Sequence, residues 1–104
     1  MKALKAAHPG QILREEFIEA LGLTIYGVAK ASGIPQSSLS QIVNGKRGIT
    51  VDTALRLGQY FGTSAEFWSN LQLDYDMRIA RRELSRELPK VHPLALKLPK
   101  LAHV

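Results

Sequence analysis

Apolar residues along this chain return every three or four positions, the period of a helix, and nowhere alternate as a strand would require. After "HPGQIL", Leu13, Phe17, Ala20 and Leu21 share one helical face, and Gly22 closes the run. Pro9 sits where the first turn of a helix has no use for an N–H. Thr24 caps a second run with Ile25, Val28, Ala29 and Ser32 on its apolar side, ending at Gly33. A third extends from about Pro35 to Val43 and closes at Asn44-Gly45, two residues that tolerate a left-handed backbone. Thr50 caps a fourth, "VDTALRLGQYFG", which stops at Gly62. Thr63 and Glu66 form a capping-box pattern that opens a fifth. Its apolar face starts with Trp68, Leu71, Tyr75 and Ile79, and Ala80, Leu84 and Leu88 carry the seam on to Pro89. The pattern predicts an all-α, five-helix chain whose fifth helix spans about residues 64–88. The segment 89–104, spaced by Pro89, Pro93 and Pro99 and free of acidic residues, is expected to be an extended tail.

The third helix stands apart from the others. Leu39, Ile42 and Val43 cluster on one side, while Gln36, Ser37, Ser40, Gln41 and Asn44 fall on an opposite arc of about 140°. Solvent-facing helix sides are ordinarily built from Glu, Lys and Arg; serine and asparagine are weaker helix formers. A helix that gives up intrinsic stability for short hydroxyl and amide tips is suited to close approach by another surface. Gln and Asn can bond the N6/N7 edge of adenine bidentately, and Ser can donate to or accept from several bases and phosphates. Ala29, with Gly33 four residues on and Val28, Ile34, Leu39 and Ile42 around them, has the spacing of a helix-turn-helix over residues 25–44.

Charge sharpens that picture. The chain has 104 residues and a formal net charge of +5, yet all nine carboxylates lie outside the interval from Ala20 to Val51. Lys30, Lys46 and Arg47 stand unopposed inside it. A carboxylate-free window is what a surface facing polyanionic phosphate requires. The 45% apolar and 22% charged content fit one ordinary globular domain, expected over residues 1–88. With no cysteine there is neither a disulfide frame nor a thiolate metal site. The start "MKALKAAHPG" lacks the apolar stretch of a leader, and no apolar run approaches the ~18 residues of a membrane span. A soluble cytoplasmic protein with no membrane association is expected.

The segment Ile25 to Asn44 resembles the helix-turn-helix of phage-repressor-like (Xre/Cro) regulators, with Ala29 and Gly33 at that family's hallmark places. The resemblance widens to "HPGQILREEF", "GLTIYGVAKASGIPQSSLSQIVNGKRGIT" and "DTALRLGQYFGTSAEFWSNLQLDYD", which together are similar to HigA-type antitoxins, also called virulence-associated protein I. It implies a homodimeric antitoxin that represses its own operon by binding operator DNA and neutralises a cognate RNA-cleaving toxin. Carried over residue by residue, it places DNA contacts at Gln36, Ser37, Ser38, Ser40, Gln41, Asn44, Lys46 and Arg47. Gln36, Ser37, Ser40 and Gln41 are the expected base-edge readers; Ser38 lies nearer the core side, suited to phosphate contact or helix capping. Asn44 combines a helix C-cap with reach to phosphate, and Lys46 and Arg47 come next, on a loop suited to phosphate.

Other groups read as structure. Trp68, Phe67 and Tyr75 sit at helical spacing beside Leu71 and are expected in the core. Arg78, Arg81, Arg82 and Arg86 lie at pairing distances from Asp74, Glu83 and Glu87, a solvated face. Glu15 and Glu16 suit a helix start, and with Glu19 they make an acidic group that could meet a basic toxin. His8, His92 and His103 lie near the two ends with no zinc or triad spacing, and His8 before Pro9 reads as a helix N-terminus residue. No catalytic apparatus, metal site or cofactor is expected. Two competing readings stay open: a solitary repressor without a toxin, and a toxin-neutralising protein with weak DNA binding.

Overall fold

The computed structural model describes residues 7–95, which form five helices and, among the described residues, no strand. Helix α1 begins as an α-helical turn, Pro9–Ile12, and continues as a π-helical stretch, Leu13–Glu19. The others are α2 (Ile25–Ser32), α3 (Gln36–Val43), α4 (Val51–Phe61) and α5 (Ala65–Glu83), with a 3-10 turn, Leu88–Lys90, beyond them. The part of the expected tail past residue 95, with Pro99 and His103, lies outside the described residues. No described helix is long and apolar enough to cross a membrane.

Local chemistry accounts for the helix ends. The Thr24 hydroxyl accepts from the Gly27 N–H and the Thr50 hydroxyl from the Thr53 N–H, so the first turns of α2 and α4 are capped as expected. Gly33 (φ 78°) and Gly62 (φ 75°) close them in the left-handed conformation that only glycine adopts without cost. His8 caps α1 through Nδ1, which accepts from the Gly10 N–H at 2.9 Å.

Four expectations need correction. Phe67, expected in the core, is 38% exposed, its ring edge-on to Trp68. The π-helical stretch of α1 bonds i→i+5, which adds a residue to the turn and rotates every later side chain of the helix. Leu13 and Ile18, five apart, are therefore buried, whereas the expected Ala20 and Leu21 face solvent, Leu21 at 61% exposure. The cap of α5 is Ser64, whose hydroxyl accepts from the Phe67 N–H at 3.1 Å, and not Thr63. Thr63 is taken by a stronger demand: its hydroxyl accepts from the Trp68 indole N–H at 2.8 Å, and Trp68 is fully buried. Finally, α5 stops at Glu83 and not at 88. Every described residue from Arg81 onward is exposed, so no packing sustains the helix there; Pro89 also disfavours helical backbone at Leu88, and the chain proceeds in turns.

The core joins all five helices through Leu13, Ile18, Val28, Leu39, Ile42, Leu57 and Trp68 with smaller neighbours. Phe17 packs on Trp68 (centroids 4.8 Å apart) and edge-on to Phe61 (5.0 Å), clamping α1 against the α4–α5 corner. At the other end of α1 the backbone of Gly10 meets that of α3: a Cβ there would stand 1.7 Å from the Ile42 carbonyl oxygen. Helix α3 is thereby held by its buried side and by the start of α1, leaving one face free.

Candidate nucleic-acid interface

Helices α2 and α3 share the core, where Ala29, small and buried, lies with Ile34, Leu39 and Ile42. Arg56 of α4 braces the turn: its Nη1 donates to the Ser32 carbonyl at 3.3 Å while its Nε donates to Asp52 at 2.7 Å. That carbonyl belongs to the last residue of α2, where helical partners have run out, so Arg56 supplies a missing donor. A Cβ on Gly33 would come within 2.6 Å of the same guanidinium. Sequence reasoning missed Arg56; its i,i+4 partner Asp52 was a local signal, but the reach of 24 residues back to Ser32 was not.

Helix α3 carries Gln36, Ser37, Ser40, Gln41 and Asn44 on one side, with Ser38 at its edge beside the buried Ile42. Gln36, Ser37, Gln41 and Asn44 are exposed, and Ser38 and Ser40 are half-buried, while Leu39, Ile42 and Val43 are buried. No side chain caps the N-terminus of α3, where Pro35 stands in place of a hydroxyl or carboxylate. At the C-terminus, Asn44 takes φ −92°, ψ 5°, and Gly45 alone adopts the left-handed conformation, φ 76°. The Lys46 N–H donates to the Gln41 carbonyl at 2.8 Å and the Gly45 N–H to the Ile42 carbonyl at 3.0 Å, the paired bonds of a Schellman ending. Lys46 and Arg47, both exposed, follow this turn, and Arg47 reaches back to α3. The Arg47 Nε donates to Gln41 Oε1 at 2.9 Å.

The loop is anchored beyond Arg47 as well. The Ile49 N–H donates to Gln72 Oε1 at 2.7 Å, and Gln72 Nε2 donates to Asp76 Oδ1 at 2.9 Å. Gly48 lies so close to that amide that a Cβ would meet it at 3.1 Å. Helix α5 thus fixes a loop 23 residues upstream, a role for Gln72 that no local pattern announces.

Flanking groups complete the surface. On α2, Lys30 Nζ lies 5.8 Å from the centre of the exposed Tyr26 ring. His8, Gln11, Arg14, Val43, Asn44 and Gly45 line a depression of about 250 Å³ beside the end of α3. Burial holds the His8 imidazole below its ordinary pKa, opposed by the Asp76 carboxylate, and the ring packs edge-on to Tyr75 at 5.0 Å. Arg14 pairs with Glu15 (3.4 Å) and Glu19 (3.9 Å), so two of the three acidic residues of α1 already have a cation beside them. Among the described residues no group of three His, Cys, Asp or Glu side chains could hold a metal ion.

Residues 13–68 match the helix-turn-helix family. The virulence-associated protein I of Dichelobacter nodosus is 46% identical over 80 residues, covering 77% of this chain and 74% of that protein. Antitoxin HigA-1 of Vibrio cholerae is 32% identical over 93 residues, or 89% of this chain and 88% of its own. The Pseudomonas aeruginosa antitoxin HigA, solved with the higBA promoter, superimposes with a TM-score of 0.82 at 36% identity, covering 88% of this chain and all of that one. This chain belongs to the HigA-type branch of the helix-turn-helix family. At 88% of this chain, the likeness to the P. aeruginosa HigA extends past the helix-turn-helix itself.

Proposed function

We propose that this HigA-type protein is the antitoxin of a type II toxin–antitoxin module in the cytoplasm. As a homodimer it binds operator DNA, represses its own operon and neutralises a cognate RNA-cleaving toxin. One observation carries the DNA reading: α3 exposes an acid-free row of amides and hydroxyls, continued by two cations on an anchored loop. Gln36, Ser37, Ser40 and Gln41 face base edges; Ser38, Asn44, Lys46 and Arg47 meet phosphate, joined by the uncapped N–H groups at the start of α3. The P. aeruginosa antitoxin HigA, solved with promoter DNA, supports the same use of the fold here.

Dimerisation rests on α5. Leu73 (58% exposed) and Met77 (40%) on α5, with Leu84 (43%) just past its end, are large apolar groups left exposed among the described residues. A second copy covering them would set two recognition helices for successive major grooves, about 34 Å apart. The reading without a toxin draws on Arg14: it occupies Glu15 and Glu19, and so weakens the acidic group of α1 as a docking surface for a basic protein.

The deciding experiment is a salt titration of binding to the chain's own upstream DNA, against scrambled DNA of equal length. Tight binding with a steep salt slope, and much weaker scrambled binding, is the expected result. Equal weak binding to both would overturn the repressor function. Co-expression with the product of the adjacent gene separates the antitoxin from the solitary repressor: only an antitoxin suppresses an RNA-cleaving activity that is otherwise lethal.

A further inference from the structure

Arg47 does more than place a charge near DNA. Of its five N–H donors, the Nε–H is committed to Gln41 Oε1 at 2.9 Å, across the Schellman turn that folds the loop back over α3. An arginine has no acceptor, so only the oxygen of the Gln41 amide can face it; the reverse orientation would set an NH2 against an N–H. The contact therefore settles which way the amide points. Gln41 turns its acceptor to the protein, and its NH2 donors are left for whatever approaches α3.

We propose that Arg47 is a positioning residue that fixes Gln41 as a hydrogen-bond donor, directing it to a base edge rich in acceptors, guanine O6/N7 or thymine O4, and away from adenine. The inference rests on the DNA reading above and specifies what that surface selects. Bidentate reading of adenine needs the amide oxygen and nitrogen side by side, the oxygen receiving from N6 and the nitrogen giving to N7. With one of the oxygen's two lone pairs held by Arg47, the amide turns its NH2 to the groove. Guanine N7 and O6 and thymine O4 meet that orientation with acceptors, whereas adenine sets the N6 donor beside its N7 acceptor. The Nη edge of Arg47, uncommitted to Gln41, can meet a backbone phosphate, so one side chain joins phosphate contact to base choice. A lysine would keep the charge and lose the fork that makes both contacts at once.

The test uses the full chain and a randomised duplex DNA library, with wild type, Gln41→Ala, Arg47→Lys and the double variant compared. Comparing wild type with Gln41→Ala locates the position that Gln41 reads, and guanine or thymine should be preferred there. Arg47→Lys should lower discrimination at that position about tenfold, at the size of one good base contact, and leave the slope of log K against log salt unchanged. In the Gln41→Ala background the same change should do nothing further at that position. Both side chains are exposed, so folding is unaffected. Adenine preference at the Gln41 position overturns the proposal. So does an Arg47→Lys effect spread evenly over all sequences in both backgrounds, or a Gln41→Ala variant that discriminates at every position as wild type does. A wild type that binds every duplex alike would instead overturn the DNA reading itself.

Discussion

Gly10→Ala tests how α3 is aimed without touching the residues that face outward. The added methyl would stand 1.7 Å from the Ile42 carbonyl oxygen and 2.6 Å from its carbon, well inside any real contact. Both walls are backbone, so no side chain can swing aside; the start of α1 has to leave α3 by more than an ångström. Overpacking costs about 1–3 kcal/mol where side chains can adjust, and a backbone-to-backbone collision belongs at or above the top of that range. The His8 cap, worth about 1 kcal/mol, moves with the same turn. Alanine's greater helix propensity returns about 1 kcal/mol at most. A net loss of about 3 kcal/mol should lower the melting temperature by roughly 12–24 °C in a domain of this size.

The control is Gly22→Ala. Gly22 has φ 67° but nothing within 4 Å of an added Cβ, so only the left-handed backbone is penalised, at about 1–2 kcal/mol. Thermal melts monitored by far-ultraviolet circular dichroism rank the two variants. Gly10→Ala should be the less stable, and DNA binding measured well below its melting point should also weaken, because α3 is re-aimed. A Gly10→Ala protein that melts within a few degrees of wild type would refute the contact between α1 and α3.

Other expectations can be checked with the same material. Gln72→Leu leaves the Ile49 N–H without its acceptor, which should cost about 1–3 kcal/mol and raise amide exchange at Ile49; unchanged exchange there would show that the anchor is idle. His8 is held neutral by burial, so its folded pKa lies below the ordinary 6.5 of the unfolded chain. The unfolded state then binds more protons, and stability should fall as pH drops from about 6.5 through the folded value, levelling off below it. His8→Asn, which retains a capping oxygen, should remove this dependence from melts across that window. Truncation after Ala80 removes Leu84 and should weaken self-association, so an unchanged sedimentation profile would exclude the end of α5 from the interface. Gln36→Ala should cost about 1–3 kcal/mol and relax preference at one base pair, whereas Lys46→Ala should weaken all sequences alike and flatten the salt slope.

How much of this molecule could be read in its sequence depends on the range over which each choice is made. Thr24, Thr50, Gly33, Gly62 and His8 satisfy demands within a turn of themselves, and each could be read directly. The polar side of α3 was equally legible, because helical periodicity alone separates Gln36, Ser37 and Gln41 from Leu39 and Ile42. The π-helical stretch left no mark in the period, since Phe17 and Ile18 are both apolar and either could succeed Leu13 in the core. Thr63 and Ser64 are adjacent hydroxyls with equal claim to cap α5. The tie is broken by a buried indole that needs an acceptor, which is a tertiary fact. Leu84 and Leu88 keep the helical spacing but stay exposed among the described residues, so a period that promised helix yields turns. Gln72 was hidden for the same kind of reason, because its partner at Ile49 is brought near only by the fold. The Gln41–Arg47 bond sits between these cases. It is local in sequence, yet it exists only because Gly45 turns the chain back over α3, so a residue that reads as simple surface charge becomes the group that orients its neighbour.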